Sequence, residues 1–481
     1  MLFNSLDFAL FFPVVFVLYW FVTNKDLKLQ NAMLLVVSYF FYACWNWHFL
    51  FLLMFSTLLD YYTGLKMQDT NDRDAKRFWF WLSISVNLGF LGVFKYYNFF
   101  IESFTQAVEG LGFSIHPETI NVLLPVGISF YTFHGLSYVI DIYKDRIKAE
   151  RNFVEYAVFV SFFPLLVAGP IERATHLLPQ IKKHRNFDYS KAMDGLRQIL
   201  WGLFKKVVIA DNCATFANEI FNHSSDYSGS MLFIGALFFT FQIYGDFSGY
   251  SDIALGTARL LGIELLRNFA FPYFSRDIAE FWRRWHISLS SWFKDYLYIP
   301  LGGSKGGIVT KVRNTFIIFI VSGFWHGANW TFIIWGALNA IYFLPLLLTN
   351  KNRNNLETVA QGNLFPSVKE LIQMLITFLL TLLAWIFFRA NNVEHAINYI
   401  LDLFSNFSSY LDLAVYLKYR TIFLFIAFFM AIEWLGREQQ FAIAKFGFGW
   451  KKPLRWIFYL ILAITILLYS GKGEEFIYFQ F

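Results

Sequence analysis

The residues best suited to chemistry are two histidines set in apolar surroundings. His326 falls within IIFIVSGFWHGANWTFIIWGALNAIYF, flanked by Trp325 and by Gly323 and Gly327. An ionisable side chain in so apolar a run is costly to bury and characteristically faces a bundle interior or a cavity. The glycines let backbone or a ligand approach the ring. An imidazole, with a reference pKa of about 6.5, exchanges protons at neutral pH, so His326 is a candidate general base. His286 sits in RDIAEFWRRWHISLSSWFKDYLYIPLGGSKGG, where Ile278, Phe281, Trp282, Trp285, Leu289 and Trp292 recur at helical spacing. That pattern predicts an amphipathic helix along the cytoplasmic interface. His286 lies about 80° round the helical wheel from Ile278, so it faces inward while Arg283 and Arg284 face water or anionic groups. The plain alternative for both histidines is a hydrogen-bonded structural residue beside tryptophan. Zinc is not expected, because no third nitrogen, sulfur or carboxylate ligand accompanies them at metal spacing. Of the other seven, His48, His116, His176, His184, His223 and His395 have no context that raises them. His134, in NVLLPVGISFYTFHGLSYVIDIY, belongs to an apolar run broken by Pro125, Gly127 and Gly135 and is placed to line a cavity.

Such residues need a scaffold, and composition sets its class. The chain of 481 residues is 57% hydrophobic, 21% aromatic and only 15% charged, against about 25% charged in soluble domains. An all-α polytopic integral membrane protein is predicted. The abundant Phe and Trp suit aromatic belts at the headgroup level. Apolar stretches near the spanning length of about 20 residues occur at 6–23, 31–45, 47–65, 78–100, 120–142, 153–169, 195–212, 230–246, 315–346, 370–389, 420–436 and 454–470. The first lacks a basic n-region and a small-residue cleavage site and reads as a retained span. No linker or internal repeat divides the chain, so 1–481 reads as one domain. Cys44 and Cys213 form no disulfide framework or metal motif. The net charge of +6 is concentrated in loops, where it reports orientation; nucleic-acid binding is not indicated. Basic loops at 66–77, 264–314 and 437–455 are assigned to the cytoplasm, which puts the C-terminus outside a cell membrane crossed many times.

Two further polar runs read first as structural. In FQIYGDFSGYSDIALG, residues 241–256, Ser248 or Ser251 would cap a following helix with Asp252 in its first turn. In FFPLLVAGPIER, residues 162–173, Pro164, Gly169 and Pro170 would end a span.

Taken together, SFFPLLVAGPIER, FQIYGDFSGYSDIALG, FWRRWHISLSSWFKDYLYIPLGG and GFWHGANWTFIIWG resemble the membrane-bound O-acyltransferase (MBOAT) family, and within it the bacterial AlgI/DltB-like branch. The resemblance runs from the first span to the last. It implies a ring of tilted helices with re-entrant segments around a central tunnel, joining a cytoplasmic donor site to an acceptor site on the other face. It also implies that His326 is the catalytic histidine and His286 the second histidine of the bacterial branch; no role carries over to His134. No tightly bound cofactor is expected. The co-substrate would be acyl-CoA, acetyl-CoA foremost, or an acyl carrier thioester. The acceptor side would be a polysaccharide or an extracytoplasmic SGNH-type acetyltransferase.

The chain ends on EEFIYFQF, in which Phe476, Tyr478 and Phe481 form F-x-Y-x-x-F over residues 476–481. This resembles the C-terminal motif of the small partner protein of D-alanylation systems, which implies that Tyr478 carries the acyl group in a relay. A phenol, with pKa near 10, is deprotonated more readily than an alcohol. The alternative is a tail that merely anchors at the interface. Transfer of D-alanyl or lipid acyl groups stands beside acetylation. In a different class, a transporter moving an activated group would also use intramembrane histidines.

Overall fold

The computed structural model describes residues 1–481 except 114, 116, 121, 122, 167, 168, 408–412, 471–475 and 478–481, and except the side chains of 413–417. All regular structure among the described residues is helical, as composition requires. Among the described residues, six helices are long and apolar enough to cross a membrane, with shorter apolar helices at Leu6–Val22 and Leu27–Ala43. The chain forms two compact units, Met1–Lys191 with Ala258–Leu266, and Ala192–Thr257 with Arg267–Phe481.

In the first unit, helices Trp47–Asp69 and Arg73–Leu91 pack through a buried polar cluster. Asp60 accepts hydrogen bonds from Ser83 Oγ (2.6 Å) and Asn87 Nδ2 (2.8 Å), and Asn87 in turn accepts from Ser56 (2.7 Å). The broken run around His134 is confirmed: its helix begins only at Ile128, after Gly127 at φ 75°. A Cβ on Gly127 would lie 2.3 Å from the Leu166 carbonyl oxygen, so both the dihedral and the close approach demand glycine. The expected span 153–169 is not one. Its helices, Phe153–Ser161 and Phe163–Leu166, are too short to cross a bilayer at about 1.5 Å per residue.

The second unit carries both candidate histidines. Helix Val368–Arg389 shows how its elements meet lipid and core: Leu371, Ile372, Leu375 and Ile376 are exposed while Thr377, Thr381 and Trp385 are buried. The solvent-facing pattern of a soluble helix is inverted, because lipid accepts leucine and isoleucine without cost. Helix Gly229–Leu260 is of another kind. Its most apolar window is 89% buried, against 22 to 44% for the other five long helices, so protein surrounds it.

Three expectations fail here, each for a local reason. The stretch 315–346 is two helices, Ile308–His326 and Trp330–Leu348, broken at Gly327-Ala328-Asn329. Residues 230–246 do not end a helix. Helix Gly229–Leu260 runs through the polar motif, with Ser248 Oγ returning its proton to the Tyr244 carbonyl (2.6 Å) in the i−4 bond that satisfies a buried hydroxyl without a cap. The predicted interfacial helix is two short helices, Ile278–Arg284 and Ile287–Phe293, with His286 at φ 43° between them. Of its arginines, expected to face water or anionic groups, Arg284 does meet an anion, although a buried one, and Arg283 meets backbone. Arg284 pairs with buried Glu280 (2.8 Å), and Arg283 donates to the carbonyls of Asn352 and Asn355 (both 2.8 Å).

The hairpin of Ile308–His326 and Trp330–Leu348 is held at backbone contact. A Cβ on Gly323 would fall 2.2 Å from the Phe332 oxygen, and one on Gly336 2.3 Å from the Phe319 oxygen. Gly323→Val is therefore expected to cost at least the 1–3 kcal/mol typical of overpacking, because the obstructing atom is backbone. A lowered melting temperature in detergent would show it, with lipid-facing Leu375→Val as a control that leaves melting unchanged.

Candidate functional site

His326 is the last residue of its helix, and the three residues after it explain its setting. Gly327 permits the Phe332 ring to lie where a Cβ would meet it at 2.1 Å. Asn329 then starts the next helix, its Oδ1 accepting the Thr331 amide (2.9 Å), as an N-cap should. The imidazole is buried among aromatic rings, with centroids of Trp325 at 4.9 Å, Trp335 at 5.2 Å and Phe388 at 5.4 Å. Trp335 and Phe388 stand nearly perpendicular to it.

The ring of His286 lies 6.3 Å from that of His326, centroid to centroid, so the structure unites the two sequence candidates. His286 is fully buried and holds a left-handed backbone that costs a non-glycine residue about 1–3 kcal/mol. Asn268, a residue sequence reasoning missed, holds it there. The Asn268 carbonyl accepts the Ile287 amide (2.9 Å), and its side-chain Oδ1 meets His286 Nδ1 at 3.0 Å. Because Oδ1 also accepts the Ser288 amide and hydroxyl (3.4 and 2.9 Å), it is the oxygen, and Nδ1 must carry the ring proton. The Nε2 lone pair is then bare. His286 Nε2 and Asn268 Nδ2 are both buried without a hydrogen-bond partner among the described residues, an acceptor and a donor that call for a ligand's polar groups. Nothing in the spacing of Asn268 marked it; the only signal was a polar amide within the apolar run LLRNFAF.

Asn268→Ala is expected to free the tautomer and slow acyl transfer about 10²-fold, the loss that misplacement of a positioning group brings. kcat should fall, and the melting temperature with it, because buried donors on His286 and Ser288 lose their shared acceptor.

Burial with no charged partner pushes the His286 pKa down to about 3, from about 6.5 in an unfolded chain. The folded protein therefore keeps this ring neutral where the unfolded chain takes up a proton. The stability so gained is complete above pH 6.5 and is lost as pH falls from there toward 3. Melting curves between pH 7 and 5 should show a downward slope, which the non-titrating variant His286→Gln flattens.

Two cavities flank the end of helix Ile308–His326. One, of about 240 Å³, is lined by Trp282, Ser290, Lys294, Phe319, Ser322 and Arg353; Ser322 stands one turn before His326. The other, of about 400 Å³, is formed by Gly327, Ala328, Asn329, Phe332, Arg389 and Asn391, immediately beyond it. No group of three or more potential metal ligands occurs among the described residues. His134, in the other unit, accepts the Glu172 amide at Nε2 (3.1 Å), and Glu172 is bound to His176 (2.7 Å); its partners give it a structural task.

Phe476 and Ile477 are wholly buried in the second unit. The Phe476 ring lies 4.3 Å from Tyr250 and 6.2 Å from Phe247, and Phe247 meets His286 edge-on at 4.6 Å. Tyr478 lies outside the described residues.

Residues 32–386 match the family model of MBOAT, the membrane-bound O-acyltransferase family. The chain is 39% identical over 398 residues to "Probable alginate O-acetylase AlgI" of Pseudomonas aeruginosa, covering 82% of this chain and 73% of that protein. With the protein of the same name from Pseudomonas putida it shares 36% over 503 residues, spanning 100% of both. Over 426 residues it is 38% identical to "Peptidoglycan O-acetyltransferase" of Helicobacter pylori, covering 82% of this chain and 78% of that protein. With apolar spans around a buried histidine pair, and a family match across most of its length, the chain belongs to the membrane-bound O-acyltransferase family and is a multi-pass membrane O-acyltransferase.

Proposed function

We propose that the chain moves an acetyl group from a cytoplasmic thioester to Tyr478, and from there to a hydroxyl of an extracytoplasmic polysaccharide or to an SGNH-type acetyltransferase that serves one. The observation that carries this reading is the burial of Phe476 and Ile477 beside Phe247, one ring away from His286. A tail that only anchored at the interface would not need its backbone inside the histidine-bearing unit. The names of the relatives, which speak of alginate and peptidoglycan, support a polysaccharide as final acceptor and acetyl as the group.

In the first step the Tyr478 oxygen attacks the thioester carbonyl as His326 takes the phenolic proton. The C–S bond breaks, and the proton passes to the departing thiolate. An aryl ester and a free thiol result. In the second step an acceptor hydroxyl attacks the aryl ester, its proton returning to the tyrosine oxygen. His286, neutral and with Nε2 bare, accepts a hydrogen bond from an amide of the donor's arm and holds it in line, a positioning task. The 240 Å³ cavity, with Lys294 and Arg353, suits the anionic part of a CoA-type donor. The 400 Å³ cavity, with Arg389, Asn329 and Asn391, suits the acceptor side.

Incubation of the purified protein with acetyl-CoA, followed by mass analysis of the C-terminal peptide, should show one acetyl group on Tyr478. Parallel incubation with a D-alanyl carrier protein separates the donors. A tail that stays unmodified while acetyl reaches a soluble acceptor would refute the relay.

A further inference from the structure

The motif FQIYGDFSGYSDIALG, which sequence reasoning assigned to a helix cap, has no part in the transfer steps above, and its residues converge on the tail. Asp246 is buried in helix Gly229–Leu260. Its Oδ2 accepts the backbone N–H of Ile477 at 2.7 Å. Its Oδ1 is 2.8 Å from Lys206 Nζ, which also binds Asp211 at 2.7 Å. Lys206 belongs to the π-helical stretch Phe204–Ala210, an irregularity that often marks function. Gly249 lets that stretch come close: a Cβ there would be 3.0 Å from the Lys206 amide. One and four residues along from Asp246, Phe247 and Tyr250 receive the Phe476 ring.

A carboxylate deep in an apolar bundle is stabilised by a cation and by hydrogen bonds. Lys206 supplies the first, shared with Asp211. The Ile477 amide supplies the second as a charge-assisted bond. Because it is a main-chain group, the contact is blind to the side chain at 477, and the aromatic seat for Phe476 provides the selection.

We propose that Asp246, paired with Lys206, is a latch for the C-terminal tail that fixes the backbone at Ile477 and so sets the reach of the next residue, Tyr478, toward the histidine pair. The inference rests on the acyl-carrier reading of Tyr478. Asp246 is a positioning residue, acting through the tail, and consecutive Cα atoms are only about 3.8 Å apart, so a fixed amide at 477 leaves the tyrosine little freedom of origin. Displacement by about 1 Å is enough to lose a factor near 10² in an oriented reaction.

The test uses the full-length protein and two readouts. Hydrogen exchange of the C-terminal peptide reports whether the tail is seated, independently of any chemistry. The rate of acyl-adduct formation on Tyr478 reports its alignment. Asp246→Ala and Ile477→Pro, which removes the N–H, are each expected to speed exchange of that peptide at least about tenfold. They should slow adduct formation about 10²-fold with the donor KM unchanged. Ile477→Leu should match the parent in both readouts, and Asp246→Asn, which keeps an acceptor oxygen, should fall between. Ile477→Pro alters only the terminal segment, so it reports even if Asp246→Ala does not fold. Exchange at the parental rate in Ile477→Pro, or a parental tail that exchanges freely, overturns the latch. Asp246-dependent protection with no acyl group on parental Tyr478 keeps the latch and overturns the relay alone.

Discussion

His326→Ala is expected to lower kcat for acyl transfer by about 10²–10⁴, the span covered by loss of a positioned proton-transfer group. The thioester donor proposed above would already be activated, so what would remain for the protein is to orient it and move one proton. Because the nucleophile must give up its hydroxyl proton, His286 is a poor substitute as base: it is committed to Asn268 through Nδ1 (3.0 Å), and its depressed pKa makes it a weak acceptor of a full proton. The fold should survive the change. The imidazole sits at a helix end among rings of Trp325, Trp335 and Phe388, and alanine leaves a small cavity costing a few kcal/mol at most. Melting curves with single-turnover transfer on the same preparation check both halves. A folded variant that transfers at the parental rate would remove His326 from the reaction.

The second large effect concerns the tail. Tyr478→Phe removes one oxygen and leaves the ring, the buried Phe476 and the Ile477 hydrogen bond to Asp246 intact. If the tail only anchored, the variant would behave as the parent. As an acyl carrier it should lose acetylation of the final acceptor altogether, because no other group in the tail offers a hydroxyl: EEFIYFQF contains no serine, threonine or second tyrosine. Thioester binding should persist, since the proposed donor cavity does not include the tail. Unchanged polysaccharide acetylation by Tyr478→Phe would leave direct transfer as the mechanism.

How far the sequence disclosed this architecture depended on the range of the interaction. Apolar length announced the spanning helices, and the isolation of His326 and His286 in apolar runs announced the site, because both are properties of local chain. Breaks were harder. GAN after His326 combines a glycine that the Phe332 ring overlies with an asparagine that caps Trp330–Leu348, yet the flanking hydropathy is continuous and reads as a single span. The same holds at Trp285-His286, where helical periodicity continues across a left-handed residue. Asn268 and Asp246 were out of reach for another reason. Asn268 acts on a residue 18 positions away, and Asp246 on one 231 positions away. Nothing in local composition distinguishes a buried carboxylate with a cation at hand from a helix cap.

The aromatic surround of His326 bears on energy conservation by the cell. In the proposed relay, a route for acyl groups through a membrane that held an ion gradient would endanger that gradient, since each charge that slips through at 100 mV dissipates about 2.3 kcal/mol. Trp335 and Phe388 close on the imidazole at 5.2 and 5.4 Å, and Trp385 stacks on Trp335 at 5.5 Å. Rings so packed give the imidazole an apolar surround, which a hydrated ion enters only at a cost. In the proposed relay, an acyl group would change carrier at a point whose apolar lining disfavours the passage of hydrated ions.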